Sequence, residues 1–175
     1  MIVGLLFAIF GVSCTLASAC SDVEAMKQCM PLGESAWYKD QWPHNAHELD
    51  LSCRNVQKEL GCEIEFGKRC PNSIFGQSLQ GLKQLEGVYA DLCGNSHHFR
   101  KQFLDHVPCL NSVIQDLSST CRTNNEINDC NTSVQFYRNC VSEGVHKLCG
   151  VETQHVFDLL IEPLLPIYAT QCKSV

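Results

Sequence analysis

The chain has 175 residues, 13 cysteines and a formal net charge of −6. That acidic balance argues against nucleic acid and anionic membrane surfaces, both of which attract clustered Lys and Arg. The length suits one ordinary domain or two small ones, and the cysteine content points to cross-linking in an oxidising compartment.

Residues 1–19, MIVGLLFAIFGVSCTLASA, carry no charged side chain, an apolar run from Ile2 to Val12 and small residues at Ala17, Ser18 and Ala19. The pattern predicts a secretory signal peptide cleaved before Cys20, because the run is shorter than the roughly 20 residues needed to cross a bilayer. Cleavage also removes Cys14 and leaves an even number of cysteines, as full pairing requires. A bacterial lipoprotein signal acylated at Cys20 is the rival reading of LASAC. The missing basic amino-terminal region and Ala17 in a position that favours leucine weigh against it.

Residues 20–175 are expected to form a single disulfide-rich helical domain. In AHELDLSCRNVQKELGC (46–62), Leu49, Cys53, Val56 and Leu60 recur at helical spacing, with Gly61 as the expected stop. FGQSLQGLKQLEGVYADLCG (75–94) carries Leu79, Leu82, Leu85, Tyr89 and Leu92 on one face and ends at Gly94. From His97 to Cys121, Phe99, Phe103, Leu104 and Val107 are followed, after an expected interruption at Pro108, by Leu110, Val113, Ile114 and Leu117. CNTSVQFYRNCVSEGVHKLCG (130–150) is helix-friendly, and a last helix from Val151 is expected to break or kink at Pro163 and Pro166. No stretch alternates convincingly as a strand would. The fold class is therefore all-α, a disulfide-stapled bundle of about five to six helices.

Cys53, Cys62, Cys70 and Cys93 are spaced 9, 8 and 23 apart, and Cys130, Cys140, Cys149 and Cys172 are spaced 10, 9 and 23 apart. The closing segments also agree, Leu85, Tyr89, Ala90 and Cys93 matching Leu164, Tyr168, Ala169 and Cys172. With Cys29 and Cys109 added upstream, this is either a duplication dividing 20–93 from 94–175 or the common spacing of end-stapled helices. Cys20 and Cys121 have no counterpart in that scheme. If they pair, a further bridge must cross between halves; otherwise each half closes on itself. Twelve cysteines allow on the order of ten thousand pairings, so sequence leaves the connectivity open.

On one helix, Cys140 and Cys149 point about 280° and about 100° round from Cys130, too divergent for a shared metal ion. Zinc sites favour close cysteine pairs, and a catalytic thiol needs an unpaired cysteine. Cys20, Cys29, Cys53, Cys62, Cys70, Cys93, Cys109, Cys121, Cys130, Cys140, Cys149 and Cys172 are accordingly expected to be disulfide staples.

Other constellations offer less. His44, His47, His97, His98, His106, His146 and His155 fall in no HExxH frame, so surface histidines outweigh a metal site. No G-x-S-x-G elbow is present. Glu63 with Glu65 and Asp158 with Glu162 are the acidic pairs one would weigh as acid and base, against solvated surface. The stripe VFDLLIEPLLPIY (156–168) would serve either as core or as the lining of an apolar cavity. Asn131-Thr132-Ser133 is a glycosylation acceptor expected at the surface, overlapped by a weaker Asn128-Asp129-Cys130 variant.

Saposins and insect odorant-binding proteins carry cysteine pairs separated by two or three residues, and this chain has neither. SCRNVQKELGC, LCGNSHHFRKQFLDHVPCL and FYRNCVSEGVHKLCG, with a final helix closing at Cys172, resemble instead the secreted cysteine-rich domain of unknown function found across nematodes and arthropods, which includes insect haemolymph glycoproteins. The resemblance implies a helical, secreted, stapled fold and an invertebrate source, and it brings no catalytic residues.

The expected function is that of a secreted, non-enzymatic protein acting by binding or association in an extracellular fluid, secretion or matrix. A carrier of a small apolar ligand and a secreted enzyme of unrecognised type are the alternatives. Expected partners are an extracellular protein or a small apolar ligand, without nucleic acid, membrane span, metal or cofactor.

Overall fold

A computed structural model describes residues 20–29, 42–94, 98–123 and 130–173. The expected signal peptide with Cys14, His97 and the Asn128-Asp129 pair lie outside the described residues. Among those described, every regular element is helical: α1 (Asp22–Cys29), α2 (Ala46–Arg69), α3 (Ile74–Gln77), α4 (Leu79–Cys93), α5 (His98–Thr123), α6 (Cys130–Cys149), α7 (Val151–Ile161), a 3₁₀ turn (Glu162–Leu164) and α8 (Leu165–Lys173).

Local chemistry sets several boundaries. Asn45 caps α2 by accepting from the Glu48 N–H at 3.0 Å, and the Glu48 carboxylate accepts in return from the His44 N–H at 2.8 Å. At α3, the Asp22 carboxylate accepts from the Ile74 N–H at 2.8 Å, so the start of α1 also fixes the start of α3. Gly150, at φ +87°, supplies the left-handed conformation that separates α6 from α7.

Four expectations are corrected. Gly61 does not stop α2, which continues to Arg69 because Ile64 and Phe66 are buried beyond it and Cys62 is bonded to Cys29. Such burial exceeds the roughly 1 kcal/mol that a helical glycine costs. Pro108 does not interrupt α5; it is exposed, and the burial of Phe103 and Val107 before it and Leu110 after it carries the helix through. The helix expected over 75–94 is two, parted at Ser78. The break lets Gly76 sit against the Cys70 and Pro71 backbone, where a Cβ would clash. α1, finally, was not expected at all. The expected break near Pro163 does occur, as the 3₁₀ turn, and Pro166 falls in the first turn of α8, where a missing N–H is tolerated.

Six disulfides staple the bundle: Cys20–Cys70, Cys29–Cys62, Cys53–Cys93, Cys109–Cys149, Cys121–Cys140 and Cys130–Cys172, with Cα separations of 5.4 to 5.9 Å. Cys20 and Cys121 do not pair with each other, and each half closes on itself. The order is the same in both halves: first with fifth, second with fourth, third with sixth. This corrects the upstream correspondence, since Cys20 takes the place of Cys109 and Cys29 that of Cys121.

The halves nonetheless share one core. Leu49 and Leu92 from the first half meet Phe103, Val107, Leu110, Val141, Val145, Val156 and Phe157 from the second, all buried. A second cluster joins Val56, Leu60, Ile64, Leu82 and Leu85 to Leu164 and Ile167. Gly81 permits that junction, because a Cβ there would meet Ile167 at 2.9 Å. Trp42 stacks on Phe103 and Phe157 at centroid distances of 5.9 and 6.3 Å, which pins the approach to α2 against the second half.

Candidate functional site

Several sequence candidates turn out to be framework. Asp158 and Glu162 share one cation, Arg138, whose Nη2 lies 3.2 and 3.1 Å from them. Asp158 also accepts from the Ser142 hydroxyl at 2.8 Å, and Ser142 in turn accepts from the Gln154 amide at 3.0 Å. The pair thus ties α6 to α7 and to the 3₁₀ turn. Glu63 and Glu65 are equally ill matched as acid and base. Glu65 is exposed and hydrogen-bonded by Lys68, which lowers its pKa, whereas burial first and the Glu59 charge second push Glu63 up to about 7.

The histidines do not gather. His106 Nδ1 lies 3.0 Å from the Thr153 hydroxyl and His44 Nδ1 lies 3.3 Å from the Asn111 amide. His47, His98, His146 and His155 are exposed. Among the described residues, no group of three or more His, Cys, Asp or Glu is placed to hold a metal. The apolar stripe 156–168 is core: Val156, Phe157, Leu160 and Pro163 are buried, and Ile161, Leu164 and Ile167 pack against the two clusters. Asn131 is exposed in the first turn of α6, directly after the Cys130–Cys172 bridge.

Two open concavities are present among the described residues: one of about 580 Å³ beside the Arg138–Glu162 ion pair, lined also by Leu165 and Pro166, and a more apolar groove of about 660 Å³ between the carboxyl-terminal part of α5 and α6. On α6, Phe136, Cys140, Gly144 and Leu148 succeed one another every four residues and so form a single row. α5 contributes Leu117 and Cys121, and the Cys121–Cys140 bridge lies across the groove. A Cβ at Gly144 would overlap the Leu117 side chain, so glycine there sets how closely the two helices approach. Phe136 is 38% exposed and Leu148 62% exposed, while Glu143 and Lys147 supply opposite charges at the rim. The arrangement offers apolar contact with a little charge, and its two cysteines are consumed in the bridge.

Sequence reading missed this groove. The every-fourth-residue row in α6 was visible, but a cysteine and a glycine within it masked its apolar character. Comparison with protein families, curated proteins and solved structures finds no match for this chain. Among the described residues no helix is long and apolar enough to cross a membrane.

Proposed function

We propose that this chain is a secreted, non-enzymatic binding protein of an extracellular fluid, secretion or matrix, and that the groove between α5 and α6 is its contact site. The observation that carries the reading is the solvent exposure of Phe136 and Leu148 on one apolar groove; the other exposed large apolar residues described, Val23, Leu51, Val151 and Tyr168, do not line it. Six disulfides suit an oxidising exterior, and they hold both groove walls in place. Cleavage of residues 1–19, carbohydrate on Asn131 and membership of the nematode and arthropod cysteine-rich family belong to the same proposal.

The groove volume also favours a second reading, since about 660 Å³ lies within the range of small-molecule sites. A carrier of a small apolar ligand would use this groove. Native mass spectrometry of protein purified from its own source separates the two. A bound apolar metabolite supports the carrier, and a ligand-free protein that retains a protein partner supports association.

For the site itself, the test is an environment-sensitive apolar dye titrated against the intact chain and against Phe136→Asp. Loss of dye binding with helicity unchanged is the expected result. Equal binding by both would remove the groove as the site.

A further inference from the structure

Glu59 lies on α2 between two staples, Cys53 bonded to Cys93 on α4 and Cys62 bonded to Cys29 on α1. It is only 4% exposed, and its Oε2 has no hydrogen-bond partner. A carboxylate in that position is costly, whereas the neutral acid is far less so. Glu63 follows one turn later on the same flank of the helix. Tyr89 of α4 lies close enough to feel the Glu59 charge, and it bridges the two hydrophobic clusters.

Among the described residues, the surrounding elements supply no compensating cation. On α4, Lys83, Glu86 and Asp91 are exposed. α3 carries no ionisable side chain. On α1, Asp22 is engaged by the Ile74 N–H, Glu24 by the Gln28 amide, and Lys27 is exposed. On α2 itself Arg54 and Lys58 are exposed, and Arg100 of α5 is committed to Asp50 at 2.6 Å, nine residues back along the helix. Among the described residues, then, burial and mutual repulsion govern this pair. Consistently, burial pushes Glu59 up to about 7, burial with the Glu59 charge pushes Glu63 up to about 7, and burial with the same charge raises Tyr89.

We infer that Glu59 and Glu63 form a proton-operated latch in the first half: when neutral they let α2 lie against α4, and when ionised they loosen that contact. Ionisation places a charge on buried Glu59, beside Tyr89 of α4, and a second one helical turn away on half-buried Glu63, so the two repel. The bridges on either side of Glu59 keep the helices tethered, so the cost is expressed as local opening and not as unfolding. The groove of the second half lies on other elements, and this inference does not depend on it.

The test is amide hydrogen exchange on the intact, fully oxidised chain at about pH 5.5 and about pH 8.5, corrected for the intrinsic pH dependence of exchange, with α5 and α6 as internal reference. Amides of 56–64 and 82–89 should lose about tenfold or more of their protection at the higher pH while the reference helices keep theirs. A double variant, Glu59→Gln with Glu63→Gln, should stay protected at both. Equal behaviour of α2–α4 and the reference helices in the unmodified chain would overturn the latch, as would a variant that loses protection as the parent does. Carboxyl carbon-13 titration of the unmodified chain needs no variant: midpoints near neutrality support the latch, and midpoints in the ordinary glutamate range overturn it.

Discussion

The main chain of Trp42 and the side chain of Asn111 hold each other in both directions. Asn111 Oδ1 accepts from the Trp42 N–H at 2.8 Å, and its amide donates to the Trp42 carbonyl at 2.8 Å. The two residues stand 69 positions apart in sequence, so this contact joins the approach to α2 to the middle of α5 and seats the indole on Phe103 and Phe157. Asn111→Leu should therefore leave two partly buried backbone groups unpaired and cost about 1–3 kcal/mol. Chemical denaturation of the oxidised protein, followed by tryptophan fluorescence, measures it; a cost near zero would mean that the aromatic stack alone positions this segment.

Gly144 should tolerate little. Gly144→Val inserts a branched side chain where even a Cβ overlaps the Leu117 side chain, which must shift to make room, at an expected cost of about 1–3 kcal/mol. Thermal unfolding and binding of an apolar dye to the same variant would show lower stability together with altered groove affinity.

Stability should fall as pH rises from about 4.5 to about 7. The folded-state pKa values of Glu59 and Glu63 stand near 7, above the unfolded value of about 4.5, so their contribution is fully present below about pH 4.5. Between that value and 7 the unfolded chain ionises first, and above 7 the contribution is gone. For buried Glu59 alone the loss is on the order of 3 kcal/mol, to which half-buried, solvent-screened Glu63 adds less, so Tm should fall by roughly 5–10 °C between pH 5 and pH 8. Calorimetry across that interval, repeated on the double Gln variant, should show the slope flattened in the variant.

Peptide mapping of the unreduced protein should recover the six bridges of the fold, with no linked pair joining a cysteine before Gly94 to one after Pro108. A single cross-half peptide, such as one joining Cys20 to Cys121, would contradict the structure.

Asn131 is exposed at the first turn of α6, and its acceptor motif is complete. Protein made in a eukaryotic secretory cell should migrate faster after glycosidase treatment, and Asn131→Gln should abolish that shift. An unmodified chain from such a cell would show that the adjacent Cys130–Cys172 bridge closes before the transferase acts.

Helical character and cysteine stapling were legible because periodicity and cysteine spacing are local signals. The heptad-like positions Leu49, Cys53, Val56 and Leu60 are indeed buried together on α2. The failures arose where tertiary contacts override local preference. Gly61 has open space beside it and breaks nothing, whereas Ser78 interrupts a strongly periodic stretch because Gly76 must nest against Cys70 and Pro71. α1 is short, and among its described side chains only Ala25 and Cys29 are buried, too few to show a period. Connectivity was illegible in principle, since it depends on which helices meet. Likewise, Glu59 looks like any surface glutamate in sequence, and its burial follows from what surrounds it in space.

The absence of any bridge between the halves bears on how the correct set of bonds is found during synthesis. Six thiols can combine in roughly 15 ways, against about ten thousand for all twelve together. Because Cys93 precedes Cys109, a chain emerging from its amino terminus presents the first set complete before any of the second arrives. Two small sorting problems thus follow one another in time, and an error in one can be reshuffled without disturbing the other.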